Sequence, residues 1–310
     1  MRVVKADELD NFNTHKGTSV TIGKFDGVHR GHRKLIGEAV RYACYSGLLS
    51  CVITFKNPEN NTGDGMRLLT TFEEKCHIIE KLGVDVMVVL EFTDVLKNMS
   101  PGEFIDFFLS DMLNASSVTV GEDFCFGKKR EGNVKDLSDA QMKYGYNLTV
   151  MKKEEADGDQ ISSTRIRNLI KDGHIKEAND LLGYDYLIAG ITESGKKKGR
   201  EIGVPTINLY PTPEKLIPPF GVYASKAVLK GKEYNAVTNV GICPTVIDNK
   251  KVSIETHLLD FTSEKETYGE KFFVSLRDHI RDEIKFDSVN RLYDQIKKDM
   301  QEAEKLLAKQ

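Results

Sequence analysis

The chain has 310 residues, of which 40% are hydrophobic and 29% are charged, and its formal net charge is −3. This composition is typical of a soluble globular protein with room for about two domains. It excludes an intrinsically disordered chain and a protein that binds nucleic acid through a broadly basic surface. We therefore expect no nucleic-acid partner, although a local basic cluster is compatible with this charge.

The sequence predicts neither export nor a membrane partner. The amino-terminal residues lack the apolar stretch of a signal peptide, and the longest apolar runs, such as residues 86–90, are too short to cross a bilayer. The five cysteines are scattered and form no CxxC pair, which fits reduced thiols and not a disulfide framework or a zinc site. We expect a cytoplasmic protein.

The first part of the chain alternates predicted strands and helices. One helix is predicted from His32, and a second over residues 76–82. A third begins at a capping box in which Ser100 and Glu103 flank a proline. The apolar strands cover residues 19–23, 51–55, 85–90, 117–121 and 147–151. Continuous apolar strands separated by helices predict an α/β fold with a parallel sheet that is covered on both faces.

The pattern changes after Gly183. Six apolar runs follow, with turns rich in glycine, proline and lysine between them, and they predict a small antiparallel β-barrel or sandwich. They cover residues 186–191, 206–210, 221–229, 234–241, 252–259 and 271–277. A helix with one apolar stripe is predicted from about Ser288. We place the boundary between domains 1–183 and 184–310.

The segment 23–32, GKFDGVHRGH, lies between a predicted strand and a predicted helix. Such a junction gathers free backbone N–H groups at the positive end of the helix dipole, which favours anion binding. His29 and His32 share one face of the first helical turn and can donate hydrogen bonds to phosphate oxygens, while Gly31 lets a phosphate approach the backbone. A bare His-x-Gly-His match also fits a capped loop with two surface histidines. A zinc site has less support.

The segment 161–167, ISSTRIR, precedes another predicted helix. Hydroxyls and an arginine at a helix start, from Ser163, Thr164 and Arg165 or Arg167, fit the binding of a triphosphate and of a leaving pyrophosphate. Taken alone, this motif is more simply an ordinary capped surface helix.

A basic loop flanked by glycines, with Gly199 and Arg200, leads into the predicted strand that carries Thr206 and Asn208. Glycines allow a tight backbone around phosphates. Because Thr206 and Asn208 alternate with Ile207, both point to one side, where a hydroxyl and an amide oxygen can help to hold Mg²⁺ against nucleotide phosphates. The lysines before this loop also fit a solvated turn.

A later strand places Glu255 and His257 on one face and apolar neighbours on the other. A carboxylate on the ligand side of a small barrel can accept the proton of an alcohol during phosphoryl transfer. Taken alone, Glu255 is more often simply an exposed strand residue.

Taken together and in order, nine motifs across both parts of the chain resemble the bacterial bifunctional riboflavin kinase/FMN adenylyltransferase (FAD synthetase) family. They cover residues 23–32, 68–82, 121–127, 161–167, 199–208, 221–223, 239–245, 255–261 and 281–286. The resemblance implies a Rossmann-like nucleotidyltransferase domain followed by a riboflavin kinase barrel with a C-terminal helix. It implies a transferase that phosphorylates riboflavin with ATP to FMN, and then adenylylates FMN with ATP to give FAD and pyrophosphate.

The resemblance also implies residue roles. In the kinase, Glu255 is the base, Thr206 and Asn208 organise Mg²⁺ and phosphates, and Arg281 contacts the flavin or the nucleotide. In the adenylyltransferase, His29 and His32 stabilise the transition state, and the triphosphate is held by Ser163, Thr164 and Arg167. Further nucleotide or flavin contacts are expected from Gly23, Phe25, Asp26, Gly31, Asp123, Gly199 and Arg200.

The chain departs from the family pattern at two places in the adenylyltransferase. Lys24 stands where the family usually has Asn, and residues 56–58 read Lys-Asn-Pro where the family commonly has Pro-His-Pro. These departures leave open a riboflavin kinase with weakened or altered adenylyltransferase activity. A flavin- or nucleotide-sensing binder without catalysis, transfer to a different phosphate acceptor, and assembly into a homo-oligomer also stay open.

Overall fold

The structure is a computed structural model that describes residues 1–56, 66–193, 204–243, 251–261 and 268–308. The chain divides into two compact units. The first consists of Met1–Met66 and Lys75–Ser162, and the second consists of Arg67–Glu74 and Ser163–Gln310. The segment 67–74 and residues 163–183 are thus grouped with the second unit, and the functional boundary between residues 183 and 184 stays a prediction.

The first unit contains a six-stranded sheet in which all strands are parallel, with the order β1-β4-β3-β2-β5-β8. These strands are β1 (Arg2–Val4), β2 (Thr18–Ile22), β3 (Leu49–Phe55), β4 (Val86–Leu90), β5 (Ala115–Gly121) and β8 (Asn147–Met151). Two short hairpins pair β6 (Cys125–Phe126) with β7 (Gly132–Asn133), and β9 (Glu155–Ala156) with β10 (Asp159–Gln160). All residues of β2 and β4 are buried, as expected for the interior of a parallel sheet.

Helices accompany this sheet. They are α1 (Arg30–Ser46), α2 (Phe72–Lys81), α3 (Asp94–Asn98), α4 (Pro101–Phe104) and α5 (Val134–Tyr144). The predicted capping box is confirmed at α4, where Ser100 N–H donates to Glu103 Oε2 at 2.7 Å, and the chain continues as a π-helical run over Ile105–Met112. That run buries Phe108 and Leu109 in the core of the sheet.

The second unit contains a curled antiparallel sheet of six strands, in the order β11-β16-β13-β14-β15-β12. They are β11 (Tyr186–Ile191), β12 (Ile207–Leu209), β13 (Gly221–Leu229), β14 (Lys232–Cys243), β15 (Lys251–Leu258) and β16 (Lys271–Asp282). An isolated bridge between Glu193 and Asn208 connects the end of β11 to β12, so the edge strands meet and the sheet curls into a barrel. This arrangement confirms the predicted fold class.

Among the described residues, the helices that lie wholly in the second unit are α6 (Ser163–Lys171), α7 (Ile175–Leu182) and α8 (Val289–Ala308). Helix α8 packs Ala303 and Leu307 against Val222 and Ala224 of the barrel. Burial of such an apolar stripe is what stabilises a surface helix of this length. Among the described residues, no helix combines the length and the apolar character needed to cross a bilayer.

The segment 67–74 is bound to the second unit by a fully buried ion pair. Lys215 Nζ lies 2.7 Å from Glu74 Oε2, and both side chains have no exposed surface. Lys215 also donates to the carbonyl of Leu69, and the N–H of Ala189 donates to Glu74 Oε1 at 2.9 Å. Hydrogen bonds of this kind satisfy charges that would otherwise be costly to bury.

Candidate active sites

The first candidate site is the connection between β2 and α1, and it unites the predicted residues Gly23, Phe25, Asp26, His29, Gly31 and His32. Phe25 and Val28 are buried and have φ angles of 49° and 35°, in the left-handed region that non-glycine residues rarely adopt. Such strain persists only where the surroundings fix the backbone. The Phe25 ring lies edge-on to the His32 ring, with 5.3 Å between ring centroids. A Cβ at Gly23 would lie 2.9 Å from the Phe25 ring, so glycine is required there.

The two histidines stack on each other at the start of α1. Their ring centroids are 3.6 Å apart, and His29 is the N-cap of the helix, with its Nδ1 accepting a hydrogen bond from the N–H of His32 at 3.4 Å. A ring nitrogen that accepts is unprotonated, so neutral His29 carries its proton on Nε2. A Cβ at Gly31 would lie 3.4 Å from the His29 ring, in ordinary van der Waals contact with it.

Burial keeps both histidines uncharged near neutral pH. It lowers the pKa of His29 to about 4. The pKa of His32 is also lowered well below its ordinary value, by burial first and then by the nearby His29 and Lys75. Only 6% of His29 is exposed, which does not fit the interpretation of this motif as a loop with two surface histidines. Each ring can therefore donate one hydrogen bond to an anion without carrying a charge itself.

Lys75 is a buried member of this site that the sequence analysis did not single out. Its Nζ donates to the carbonyl of Lys24 at 2.8 Å and lies 3.4 Å from Thr54 Oγ1 and from the carbonyl of Phe55. Lys75 falls on the same helical stripe as Ile79 and Leu82. A lysine within an apolar helical stripe is therefore the sequence feature from which this site residue could have been predicted.

The other predicted residues of the adenylyltransferase lie in two places. Asp123 follows β5 in an exposed turn, where its carboxylate lies 2.9 Å from Lys153 Nζ. Ser163, Thr164 and Arg167 lie on α6 in the second unit. Arg167 is 9% exposed, and its Nε donates to the carbonyl of Arg67 at 2.9 Å. This arginine is therefore more buried than the helical pattern alone predicts.

The second candidate site is a row of polar residues across neighbouring strands of the barrel. Glu255 on β15 is paired in register with Asn208 on β12 and with Asn239 on β14. Residues that face each other in this way project from the same face of a sheet. Glu255 and His257 are partly exposed while Ile254, Thr256 and Leu258 are buried, so the predicted division of the strand into two faces is confirmed. Asn239 is an amide neighbour of Glu255 that we did not assign from the sequence.

The same row continues to Arg281 on β16, because Val222 is paired with both Asn239 and Arg281. Arg281 Nη2 donates to Asp299 Oδ2 at 2.7 Å, and Arg281 Nε donates to Asp299 Oδ1 at 3.0 Å. Asp299 lies on α8, is 3% exposed, and also accepts from Gln295 at 2.8 Å. Arg281 thus fixes α8 against the barrel, and its contact with a ligand stays a prediction.

A cavity of about 510 Å³ lies next to this pair, between the segment 284–287 and the first turns of α8. Its lining includes Ile284, Phe286, Arg291 and Gln295. Ile284 and Phe286 are its two apolar lining residues, and the other lining residues are charged or polar.

The remaining predicted residues belong to the basic loop before β12. Thr206 is partly buried directly before the strand, and Asn208 within it is 7% exposed. Gly199 and Arg200 lie outside the described residues. In the part of the chain that the structure describes, no group of three or more His, Cys, Asp or Glu side chains is arranged to hold a metal ion.

Comparison with known proteins matches two families, one in each part of the chain. A family model described as FAD synthetase matches residues 11–165, and one described as riboflavin kinase matches residues 182–307. A crystal structure titled macrolide-efflux protein, from Streptococcus pneumoniae, has the same fold over 97% of this chain and 98% of its own, with a TM-score of 0.82 and 30% identity. Fold and matched families together define a transferase with a nucleotidyltransferase domain and a flavokinase domain.

Relatives of known name cover nearly the whole chain. The bifunctional riboflavin kinase/FMN adenylyltransferase of Listeria monocytogenes is 38% identical over 94% of this chain and 92% of its own length. The proteins of the same name from Bacillus subtilis and Escherichia coli are 38% and 34% identical, each over 92% of this chain and over 90% and 91% of their own lengths. The chain belongs to the bifunctional riboflavin kinase/FMN adenylyltransferase family.

Proposed function

We propose that this chain makes FAD from riboflavin in two steps, each at its own site. In the first step, the γ-phosphoryl group of ATP passes to the 5′-hydroxyl of riboflavin, which yields FMN and ADP. In the second step, a phosphate oxygen of FMN attacks the α-phosphorus of another ATP, which yields FAD and pyrophosphate. The observation that carries this proposal is that one chain holds both the histidine pair at the start of α1 and the Asn208–Glu255–Asn239 row.

In adenylyl transfer, we assign the histidines to the transition state. Charge develops on the oxygens of the α-phosphate, and Nε2–H of His29 and one N–H of His32 would donate to them from fixed positions. The attacking phosphate oxygen of FMN is already deprotonated and pyrophosphate leaves as an anion, so neutral rings need only donate hydrogen bonds in this step. Ser163, Thr164 and Arg167 would hold the triphosphate and the leaving pyrophosphate, and Gly23, Phe25, Asp26, Gly31 and Asp123 would complete the nucleotide and flavin contacts.

At the kinase site, Gly199 and Arg200 would contact nucleotide phosphates.

In phosphoryl transfer, we assign the base to Glu255. Its carboxylate would accept the proton of the 5′-hydroxyl as the oxygen attacks the γ-phosphorus, while the amides of Asn208 and Asn239 flank it on both neighbouring strands. The flavin ring would occupy the cavity beside Arg281, where Phe286 offers an aromatic wall. Orientation of the hydroxyl then accounts for much of the rate acceleration.

The residues of the barrel fit a magnesium ion. Mg²⁺ prefers oxygen ligands and usually keeps several waters and substrate phosphates in its shell, so it does not require a cluster of carboxylates. A hydroxyl and an amide oxygen come from Thr206 and Asn208, of which Asn208 is held nearly buried in β12. When bound, Mg²⁺ would neutralise charge on the ATP phosphates, and we assign Thr206 and Asn208 to hold it.

The departure at Lys24 does not favour loss of the second activity. The Lys24 side chain is exposed, and it is the backbone carbonyl that accepts the hydrogen bond from Lys75. Any residue supplies that carbonyl. A kinase with weakened adenylyltransferase is therefore the alternative, and a cytoplasmic enzyme with both activities is the function that we propose.

The experiment is a time course with the purified chain, riboflavin, ATP and Mg²⁺, in which flavins are separated by chromatography. We expect FMN to rise first and FAD to follow. FMN that accumulates without FAD at long times would leave only the kinase. Tight FMN binding without any turnover would instead indicate a flavin-binding protein.

A further inference from the structure

Lys75 is a charged side chain in an environment that does not favour charge. It is 1% exposed, and burial lowers its pKa to about 8. Removing an ammonium group from water costs several kcal/mol unless hydrogen bonds and opposite charge compensate. Lys75 is not among the residues that the sequence predicts for the histidine site or for the kinase site.

The acceptors around Lys75 Nζ all lie at the carboxyl ends of two neighbouring strands. The carbonyl of Lys24, at 2.8 Å, comes two residues after β2, while Thr54 Oγ1 and the carbonyl of Phe55, both at 3.4 Å, lie at the end of β3. Thr54 Oγ1 also donates to the carbonyl of Lys24 at 3.2 Å. The ammonium therefore joins the loop that follows β2 to the end of β3.

This connection lies directly beside the strained part of the loop. Lys24 precedes Phe25, whose left-handed backbone places its buried ring edge-on against His32. Lys75 also lies close enough to His32 for its charge to lower the pKa of that ring. The charged and titratable groups around Lys75 are Asp26 from the loop, His32 from α1 and Cys76 from its own helix.

We propose that Lys75 is a positioning residue of the adenylyltransferase site, which ties the loop after β2 to the end of β3 and so holds Phe25 and His32 in the geometry that adenylyl transfer requires. This inference rests on the role proposed for His32. Because Lys75 is almost fully buried, it acts through the loop and not by contact with ATP or FMN.

The test compares Lys75→Met with Lys81→Met, a control that removes an exposed lysine from the same helix. Methionine keeps the length of the side chain but removes the charge and all three donors. We expect Lys75→Met to lower the kcat of FMN adenylylation about 100-fold, because a displacement of about 1 Å at the reacting groups has that effect. We expect KM for ATP and FMN to change little, and riboflavin phosphorylation by the same preparation to be unchanged.

A purely structural role predicts a different result. Lys75→Met would then melt at a lower temperature but would have normal kcat at temperatures where it is folded, and this outcome would overturn the proposal. The imidazole resonances of His32 in an NMR spectrum provide a second readout, which we expect to move in Lys75→Met and not in Lys81→Met. A wild-type chain that makes no FAD would overturn the proposed function and this inference with it, whereas equal FAD formation by the wild type and Lys75→Met would overturn this inference alone.

A milder variant covers the case in which Lys75→Met does not fold. Thr54→Val keeps the shape of the side chain but removes the hydroxyl that contacts both Lys75 and the carbonyl of Lys24. We expect a several-fold loss of adenylylation kcat with kinase activity unchanged, in proportion to one lost hydrogen bond. Normal adenylylation in a folded Thr54→Val protein, together with an unmoved His32 resonance, would overturn the proposal.

Discussion

The Nδ1 atom of His29 accepts a hydrogen bond from the backbone N–H of His32, so His29 caps the helix whose first turn carries the second histidine. Capping uses Nδ1 and leaves Nε2–H for a ligand, so one side chain serves two separate purposes. Serine can replace the first and not the second, because its hydroxyl caps a helix but does not reach as far as an imidazole.

We therefore expect His29→Ser and His29→Ala to differ in stability but to agree in activity. Both should lose most FMN adenylylation, while only His29→Ala should lose about 1 kcal/mol of unfolding free energy through the missing cap. Urea unfolding and a FAD assay on the same preparations check this. Full adenylylation by His29→Ser would remove His29 from the transition state.

His32 and Glu255 should separate the two activities. We expect His32→Ala to lower FAD formation by a factor on the order of 10²–10³ and to spare FMN formation, since one preorganised donor is lost.

Glu255→Ala should lower riboflavin phosphorylation by a factor on the order of 10²–10⁴, the range for a general base, and should leave adenylylation of added FMN intact. A folded variant that loses both activities would contradict two independent sites.

The sequence predicts the two folds well because hydrophobic periodicity reflects local burial. It predicts β2, β3, β4 and the barrel strands closely, but it gives no indication of β1 or of the helices α3, α5 and α7, because short elements depend on packing. Two of the site residues that it misses, Lys75 and Asp299, are ionisable groups on apolar helical stripes. Their partners lie far away in the chain, and periodicity alone carries no information about such partners.

Register is the second kind of information that the sequence lacks. Glu255 and Asn208 are individually visible as polar residues in strands, but their alignment in one row with Asn239 depends on which residues face each other across β12, β15 and β14. A shift of one residue would turn Glu255 to the other face. Pairing of distant strands therefore determines the candidate kinase site.

The low pKa of His29 predicts that acid destabilises the first unit. The folded chain holds His29 neutral down to about pH 4, whereas the unfolded chain protonates it near pH 6.5. Between these two pH values the unfolded state binds more protons than the folded state. The free energy of unfolding therefore decreases as the pH falls from 6.5 to about 4, and His29 causes no loss of stability above pH 6.5. Urea unfolding at a series of pH values should show a loss to which His29 contributes roughly 3 kcal/mol, so that the loss is smaller in His29→Ser. An identical slope in that variant would assign the effect to other groups.

The buried pair of Lys215 and Glu74 predicts a large and local loss of stability. Lys215→Met leaves the carboxylate of Glu74 buried without its cation, which typically costs about 3–5 kcal/mol. Lys230→Met, which breaks the exposed pair with Glu270, should cost less than about 1 kcal/mol. The urea concentration at which half of the kinase activity is lost, the midpoint, measures the stability of both variants. Equal midpoints for the two variants would show that the buried pair contributes no more than a surface pair.

The contact between Arg281 and Asp299 predicts a kinase defect that begins outside the reacting groups. Asp299→Asn keeps the shape of the side chain but removes the charge that orients the guanidinium, and charge-assisted hydrogen bonds contribute about 1.5–3 kcal/mol. Because Arg281 and Asp299 fix α8 beside the cavity proposed for the flavin, we expect KM for riboflavin to rise about tenfold or more, while FMN adenylylation is unchanged. Glu302→Gln is the control, because it changes a partly exposed acidic residue of the same helix that pairs with Lys305. An unchanged KM in Asp299→Asn would show that the orientation of Arg281 does not matter for riboflavin binding, and would remove α8 from the proposed flavin site.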